Sequence, residues 1–282
     1  MPGGFAITEA QFSHVELVQN PEDVITLHQL KVPKGRIRQL GNGIDLDRFG
    51  PPDAAVRAAV RSELGIAPDA LVVGAIGRLV VEKGYRELFA AWETLRTEHP
   101  DAVLVVVGPS QPDKADGLDQ ATLDAAEAIG VRFTGMRDDV ERIYHALDVY
   151  ALLSHREGFP RSAMEAAACG LPIVATDIRG CRQVVDHDRT GLLVPPRDPH
   201  ALATEMLRFS PARTSLSGAG LGPAYAEVMD EAGEATDRTW IVCLQSRSAV
   251  RIADNMQVNI LASPQSENSR VRAPHRVVDA RE

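Results

Sequence analysis

Short apolar runs alternate with amphipathic stretches through the middle of the chain. The runs at residues 71–77 and 102–108 show no polar alternation, which is typical of strands buried on both faces of a sheet. Between them, Leu88, Trp92 and Leu95 recur at helical spacing. The pattern predicts six strands, at residues 71–77, 102–108, 131–135, 148–153, 172–176 and 191–194. It predicts helices at residues 84–99, 118–129, 140–147, 161–169 and 181–186.

Strands separated by helices indicate an α/β fold with a doubly wound parallel sheet, which we place at residues 41–207. Before it, Asn20 and Pro21 have the residue types of an N-cap and a first helical position, so they predict a short helix. An edge strand at residues 34–40 and a turn-rich linker at 41–49 follow. Residues 208–282 lose periodicity, and only 240–244 and 258–261 resemble strands. We expect an irregular or disordered C-terminal tail.

Composition restricts the function classes. The formal net charge of −9 argues against a nucleic-acid partner, because such affinity rests on Lys and Arg neutralising phosphates. The three cysteines are too few and too scattered for a disulfide framework or a zinc site, which favours a reducing cytoplasm. No apolar run reaches transmembrane length, so we expect a cytoplasmic protein that is soluble or peripheral to the inner membrane.

The candidate site centres on residues 155–172. Glu157 and Glu165 stand eight positions apart, separated by a Gly-Phe-Pro turn and by Ser162, which can cap a helix. The stretch follows a predicted buried strand and leads into a helix. Open α/β sheets bind anionic ligands in this setting, at the carboxyl end of a strand and the N-terminus of a helix. We therefore expect ligand binding here.

The two glutamates allow several interpretations. They could be the acid and base of a glycosidase, which needs two carboxylates flanking the scissile bond. A basic pair nearby instead suggests an anionic donor, and a solvated helical glutamate is the plain structural alternative for Glu165. However, Glu165 stands among alanines, where an unpaired charge would be costly. That context favours a hydroxyl-binding role for Glu165.

Residues 77–84 directly follow the first predicted strand. Gly77 would let a ligand approach the backbone, while Arg78 offers a planar bidentate fork and Lys83 a point charge. Together they suit a pyrophosphate, although a solvated basic loop explains the same residues about as well. The loop has neither a G-x-G-x-x-G pattern nor a Walker lysine, which argues against an NAD-linked or P-loop protein.

His155 and the cysteines are weaker candidates. His155 could be a general base or a packing residue, and packing is favoured because no positioned partner is evident. Cys169 and Cys181 are interpreted as inert core thiols, since nothing in their sequence context indicates a nucleophile.

These residues, in this order, resemble the C-terminal domain of the family 4 retaining glycosyltransferases, which have the two-domain GT-B fold. The run from Arg156 to Gln183 is most similar to the branch that builds capsule, exopolysaccharide or O-antigen chains. The resemblance is carried by the segments 42–45, 77–79, 83–84, 107–108, 133–135, 157–160, 170–176 and 191–194, together with Phe49 and Glu165.

The resemblance implies a role for each matching position. Arg78 and Lys83 would bind the donor pyrophosphate and stabilise the leaving nucleoside diphosphate, without a metal ion or other cofactor. Glu165 would hold the ribose hydroxyls, and Glu157 would contact the donor sugar. The other implied donor-binding positions are Gly77, the backbone of Gly158, Phe159 and Pro160 at the sugar, the amides near Ser162 and Ala163 at the phosphates, and Met136 and Arg137 at the nucleobase.

The implied reaction is sugar transfer from a nucleotide sugar, expected to be UDP-linked, to a glycan or lipid-linked acceptor with retention of configuration. Members of the family carry an acceptor-binding N-terminal domain. Here residues 1–40 resemble only its final helix and the linker, so we expect a donor-binding half, either with a separately encoded N-terminal partner or as an inactive remnant. The alternative function is a nucleotide-sugar-binding module without catalysis.

Overall fold

A computed structural model describes residues 14–39, 42–112 and 114–209 of the chain, together with the backbone of three strands beyond residue 238. The strands are β1 Glu16–Val18, β2 Ile37–Gln39, β3 Gly43–Asp45, β4 Val72–Ile76, β5 Val103–Val107, β6 Val131–Gly135, β7 Val149–Leu152, β8 Ile173–Thr176, β9 Gly191–Val194, β10 Thr239–Cys243, β11 Ser248–Ile252 and β12 Val258–Leu261. The α-helices are α1 Pro21–Gln29, α2 Ala54–Glu63, α3 Tyr85–Glu98, α4 Gln120–Ala128, α5 Val140–Ala146, α6 Arg161–Ala168 and α7 Pro199–Met206.

The main sheet has six parallel strands in the order β6-β5-β4-β7-β8-β9. All six strands predicted from the apolar runs are confirmed, as is the doubly wound α/β class. The chain winds outward from β4 through β5 to β6, then returns to the other side of β4 as β7. The crevice between β4 and β7 is therefore the topological switch point, where sheets of this kind bind ligands.

The core has two layers, one on each face of the sheet. Successive strand residues face opposite sides: Val72 joins the core formed with α2, α5 and α6, whereas Val73 joins the core formed with α3, α4 and α7. Trp92 of α3 is fully buried in the second layer. Both faces are thus covered by helices, which explains why the strands lack polar alternation.

Two helices were not predicted. Helix α2 begins after Asp53, whose side chain accepts hydrogen bonds from the Ala55 and Val56 amides. Helix α7 begins after Asp198, which caps it in the same way ahead of Pro199. A further correction concerns α6, whose N-cap is Pro160, so that Ser162 lies within its first turn and does not cap it.

The segment before the main sheet forms a small unit of its own. Strands β1 and β2 pair in parallel and are joined by α1, whose predicted N-cap Asn20 is confirmed. The edge strand expected at residues 34–40 is shorter, because residues 34–36 form a 3-10 turn before β2. The segment predicted as a linker contains β3, which pairs with β10.

The predicted strands at residues 240–244 and 258–261 correspond to β10 and β12, and β11 lies between them in an antiparallel sheet. Apart from residues 208 and 209, which belong to a 3-10 turn, the other residues of the predicted tail lie outside the described residues. Residues 1–13, Leu40, Gly41 and Asp113 also lie outside them. In the part of the chain that is described, no helix is long and apolar enough to cross a membrane.

Candidate functional site

The loops that follow β4 and β7 meet at the switch point of the sheet. The His155 amide donates a hydrogen bond to the Glu82 carbonyl at 2.8 Å. Gly84 begins α3 with a φ of 71°, and a Cβ there would lie 2.0 Å from the Leu153 carbonyl oxygen. Glycine therefore permits both the left-handed turn and the contact of the two loops.

Lys83 and Glu157 join these two loops in an ion pair. Lys83 Nζ lies 2.5 Å from Glu157 Oε1, with the two side chains 26% and 14% exposed. The same carboxylate oxygen accepts a hydrogen bond from the Ser154 hydroxyl at 2.6 Å. Buried Ser154 is in turn fixed by Thr176, whose hydroxyl donates to the Ser154 carbonyl at 2.6 Å. The structure thus brings two predicted site residues together and adds Ser154 and Thr176, which sequence analysis missed.

Gly77 and Arg78 directly follow β4, at the carboxyl end of the strand. The Gly77 carbonyl accepts a hydrogen bond from the Tyr85 hydroxyl at 3.0 Å. Burial raises the pKa of Tyr85 above its ordinary value, so the hydroxyl remains a donor. The Arg78 side chain is exposed and has no hydrogen-bond or ion-pair partner among the described residues. Its guanidinium is therefore available to an anion.

Glu165 lies in the second turn of α6 with 12% of its side chain exposed. Its Oε2 accepts a hydrogen bond from the Tyr144 hydroxyl at 3.0 Å, and Arg161 approaches its Oε1 at 3.8 Å. Burial raises the pKa of Glu165, although Tyr144, Arg161 and Arg48 act in the opposite direction. Its neighbours therefore compensate the buried carboxylate only in part.

Tyr150 lies in β7, the strand that leads to Glu157. It is fully buried, and its hydroxyl donates to the Ile76 carbonyl at 3.3 Å. Burial raises the pKa of Tyr150 well above its ordinary value, so the hydroxyl remains a donor. No sequence motif indicated this residue, which had been part of an ordinary apolar run.

The N-terminus of α6 faces this region without a cap. None of the described side chains caps the helix after Pro160, and its first turn contains no acid. Ser162 is half-buried and Ala163 is fully buried. An uncapped helix N-terminus carries partial positive charge and unsatisfied N–H donors, both of which favour a phosphate.

The loop between Glu157 and α6 is held from several sides. The Phe159 ring is buried in the core, as is Pro160. The carbonyls of Gly158 and Phe159 accept hydrogen bonds from Asn20 and Asn42, respectively, each at 3.1 Å. Gly158 is exposed, and a Cβ on it would meet no atom within 4 Å. The loop therefore has open space beside its glycine.

Met136 and Arg137 lie elsewhere, at the end of β6, two strands away from β4. Met136 is 75% exposed. Arg137 forms ion pairs with Asp139 at 2.8 Å and Glu63 at 2.9 Å. These hydrogen bonds raise the pKa of Arg137 and lower that of Asp139 to about 2. The structure does not bring Met136 or Arg137 into contact with Lys83, Glu157 or Glu165, and their role at a nucleobase stays a prediction.

The remaining candidates have structural partners. His155 Nε2 lies 2.9 Å from Glu87 Oε1, so it has a positioned carboxylate partner that the sequence did not reveal. The packing role and the general-base role of His155 both stay predictions. Burial raises the pKa values of Cys169 and Cys181 to about 12, so neither is a thiolate at neutral pH. Within the described ranges, no group of three or more His, Cys, Asp or Glu side chains could hold a metal ion.

Several solved structures share this fold. HepE of Anabaena, solved in complex with UDP and glucose, superposes with a TM-score of 0.67 and 23% identity, over 79% of this chain and 61% of that one. Sucrose-phosphate synthase of Thermosynechococcus elongatus gives a TM-score of 0.65 and 28% identity, over 80% and 61% of the two chains. The C-terminal domain of a group 1 glycosyl transferase of Francisella tularensis is covered completely, with a TM-score of 0.57 and 24% identity.

Curated relatives agree on the enzyme class. The D-inositol 3-phosphate glycosyltransferase of Saccharomonospora viridis is 36% identical over 187 residues, which are 62% of this chain and 42% of that protein. The protein of the same name from Mycolicibacterium gilvum is 33% identical over 204 residues, 71% and 44% of the two chains. This chain thus spans less than half the length of these relatives. Residues 70–210, half of the 282-residue chain, match the family described as glycosyl transferases group 1, and the chain belongs to that family.

Proposed function

We propose that the chain provides the donor site of a retaining glycosyltransferase that takes a sugar from UDP. The observation that carries this proposal is the joining of Lys83 and Glu157 beside the uncapped N-terminus of α6, at the switch point of a parallel sheet. A cation, a carboxylate and unsatisfied amides are together the groups that a phosphate linked to a sugar requires. The proposal includes the donor-binding roles of Gly77 and of residues 158–160, 162 and 163, whereas the nucleobase role of Met136 and Arg137 stays a separate prediction.

The diphosphate binds between Arg78, Lys83 and the first turn of α6. Arg78 is unpaired among the described residues, and Lys83 is shared with only one carboxylate. As the bond between the anomeric carbon and the phosphate oxygen breaks, the departing diphosphate gains negative charge. Preorganised cations and helix amides stabilise that charge most in the transition state, which is how they raise the rate. These groups replace the metal ion that such a leaving group would otherwise need.

The two carboxylates bind hydroxyl groups. Glu157 has Ser154 as a second partner, so it remains hydrogen-bonded when it contacts the donor sugar. Glu165 is held by Tyr144 and binds the ribose. Neither carboxylate has to act as a covalent nucleophile, because retention is achieved by attack on the same face of the sugar while the leaving group is held in place.

The acceptor is proposed from the relatives, which are named D-inositol 3-phosphate glycosyltransferases. An inositol phosphate is therefore the first acceptor to test. The capsule, exopolysaccharide or O-antigen branch suggested by residues 156–183 remains the second candidate, with a glycan or lipid-linked acceptor. Donor binding is tested first, because the described residues carry the argument for the donor site and not for the acceptor.

Calorimetric titration with UDP, UDP-glucose and UDP-N-acetylglucosamine tests donor binding, with NADH as the control ligand. Lys83→Ala removes a charged contact, which is worth about 1.5–3 kcal/mol and weakens UDP affinity roughly 10- to 100-fold. The matched control is Lys34→Ala, an exposed lysine outside the crevice, which leaves the affinity unchanged. Binding of NADH without binding of UDP would refute the proposal.

An assay of donor hydrolysis, in which the release of UDP is measured, tests catalysis. We expect Lys83→Ala to reduce turnover more than Glu157→Gln, because Lys83 stabilises the leaving group whereas Glu157 holds the sugar. Equal and minor losses in both variants would contradict these roles. Binding of UDP-sugars by the wild type without any turnover would instead support the alternative, a nucleotide-sugar-binding module.

A further inference from the structure

Asn20 lies outside the parallel sheet and is fully buried, with 0% of its surface exposed. Its Oδ1 accepts a hydrogen bond from the Glu22 amide at 2.8 Å and thereby caps α1. Its Nδ2 donates to the Gly158 carbonyl at 3.1 Å and to the Arg179 carbonyl at 3.4 Å. The side chain therefore has two separate functions, and only the first concerns its own helix.

Asn42 repeats this arrangement one peptide further along. Its Oδ1 accepts a hydrogen bond from the Gly43 amide at 3.0 Å, and its Nδ2 donates to the Phe159 carbonyl at 3.1 Å. Two consecutive carbonyls of the loop are thus bound by side chains that precede it by 138 and 117 positions. We call Asn20 and Asn42 the asparagine pair.

The asparagine pair determines which way the loop peptides point. No peptide bond of the described residues is cis, and in a planar trans peptide the C=O and N–H groups point in opposite directions. Holding the Gly158 carbonyl toward Asn20 therefore directs the Phe159 N–H away from α1. Packing on the Gly158 side does not fix this peptide, because Gly158 is exposed and a Cβ on it would meet no atom within 4 Å. Buried Phe159 anchors the following residue, and the hydrogen bonds of the asparagine pair supply the orientation that packing at the glycine does not.

The neighbouring contacts strengthen the same connection. Arg179 forms an ion pair with Asp23, and Arg182 forms one with Glu22 at 3.2 Å, so the start of α1 is tied to the loop after β8. A Cβ at Gly180 would lie 2.6 Å from the Glu157 carbonyl oxygen, which shows that this loop packs directly against Glu157.

We propose that the asparagine pair positions the sugar-binding loop, so that the segment before the parallel sheet controls how the donor sugar, but not the diphosphate, is bound. This inference rests on the proposed function. It assigns to Asn20 and Asn42 a positioning role without contact to the donor. Their loss should separate the affinity for a UDP-sugar from the affinity for UDP.

Asn20→Asp is the sharpest variant. It retains the oxygen that caps α1, but places a carboxylate oxygen against the carbonyls of Gly158 and Arg179 where a donor had been. We expect the ratio of UDP-glucose affinity to UDP affinity to fall roughly 10-fold, since a lost hydrogen bond and an unfavourable contact combine. UDP affinity itself should stay within about twofold, because the phosphate-binding groups are untouched. Asn42→Asp follows the same logic and replaces Asn20→Asp should that variant fail to fold.

The control is Asp53→Ala, which removes the N-cap of α2 and destabilises the protein without contacting the loop. A purely structural role of Asn20 would lower stability in the same way and leave the affinity ratio unchanged. An unchanged ratio in both asparagine variants would overturn the proposal.

Amide hydrogen exchange of residues 156–161 in the unliganded protein provides an independent measurement. Faster exchange in Asn20→Asp, but not in Asp53→Ala, is expected. A wild-type chain that binds neither UDP nor UDP-glucose would refute the proposed function. The hydrogen-exchange measurement would then still decide whether Asn20 holds the loop. Unchanged exchange in Asn20→Asp would overturn the positioning role of Asn20 as well.

Discussion

Glu165→Gln should make the protein bind UDP less well while making it no less stable. The carboxylate is 12% exposed, and burial raises its pKa, so ionisation at neutral pH is penalised in the folded state. Glutamine has nearly the same shape, and its amide oxygen can still accept the hydrogen bond from Tyr144. The substitution therefore removes a costly buried charge while retaining its best partner.

The size of the effect follows from the contacts. Arg161 is 64% exposed and lies 3.8 Å from Glu165, a distance and exposure at which an ion pair contributes little. The stability change at neutral pH should thus lie between zero and about 1 kcal/mol in favour of the variant, or up to about 4 °C in Tm. Loss of a charged hydrogen bond to the ribose costs about 1.5–3 kcal/mol, which weakens UDP binding at least roughly 10-fold.

The stability difference should depend on pH with a definite sign. The folded-state pKa of Glu165 lies above the ordinary value of 4.5, so folding favours its protonated form. Relative to the variant, the wild type is most stable below pH 4.5 and loses that advantage as pH rises through the folded-state pKa. As pH is raised from 4, the difference in the free energy of unfolding between the two proteins should therefore shift in favour of Glu165→Gln and then level off.

Urea denaturation across pH and calorimetric titration with UDP measure the two effects. Glu127→Gln, at an exposed position of α4, is the control and should change neither. Wild-type UDP affinity in Glu165→Gln would show that Glu165 does not bind the ribose. If Glu165→Gln lowered the free energy of unfolding by about 2 kcal/mol or more at neutral pH, the carboxylate would stabilise the folded protein, and the argument from burial would be refuted.

Three further outcomes are expected. Gly84→Ala places a Cβ 2.0 Å from the Leu153 carbonyl oxygen at a φ of 71°, so it should lower the free energy of unfolding by at least about 2 kcal/mol. The control Gly35→Ala, whose Cβ would have no atom within 4 Å, should change that free energy by less than about 0.5 kcal/mol. Near-equal denaturation midpoints for the two variants would contradict this expectation. Cys169 and Cys181, with pKa values raised by burial to about 12, should resist alkylation at pH 7.5 until the protein unfolds, and peptide mass spectrometry showing either one modified in the native protein would count against it. EDTA should leave UDP-glucose affinity unchanged, and a loss that is restored by Mg²⁺ or Mn²⁺ would demonstrate a metal requirement.

The parallel sheet was predictable because β4, β5, β7, β8 and β9 are buried along almost their whole length and are therefore mainly apolar. Edge strand β6 carries Arg132 and Thr134 and is only partly buried. Helix α2 lacked that signal. Its buried residues include Arg61, whose guanidinium lies 2.8 Å from Asp148 and donates to the Ala146 carbonyl at 3.0 Å. A helix held in place by a buried arginine does not show a complete apolar stripe. The cap residue Asp53 is the sequence signal that could have located its start.

The candidate site residues came from two sources, and their roles stay predictions. Arg78 and Lys83 were selected because cations suit a pyrophosphate, whereas the roles of Glu157 at the sugar and Glu165 at the ribose came from the family resemblance. Ser154, Tyr144 and Asn20 could not be identified as site residues, since each acts through a partner that is distant in sequence. Asn20 in particular was recognised as a helix cap, which accounts for its oxygen but not for its amide nitrogen.

The pairing of Lys83 with Glu157 explains why the role of the glutamates could not be decided from spacing. A glycosidase carboxylate must be placed to protonate a leaving group or activate a nucleophile. Glu157 is instead neutralised by a lysine at 2.5 Å and held by Ser154 at 2.6 Å, whereas Glu165 is buried against Tyr144. In the proposed donor site, a diphosphate would attract Lys83, and Glu157 would keep Ser154 as a partner while gaining capacity to accept a hydrogen bond from a sugar hydroxyl. The ion pair would then link phosphate binding to sugar binding, which two independent catalytic carboxylates would not do.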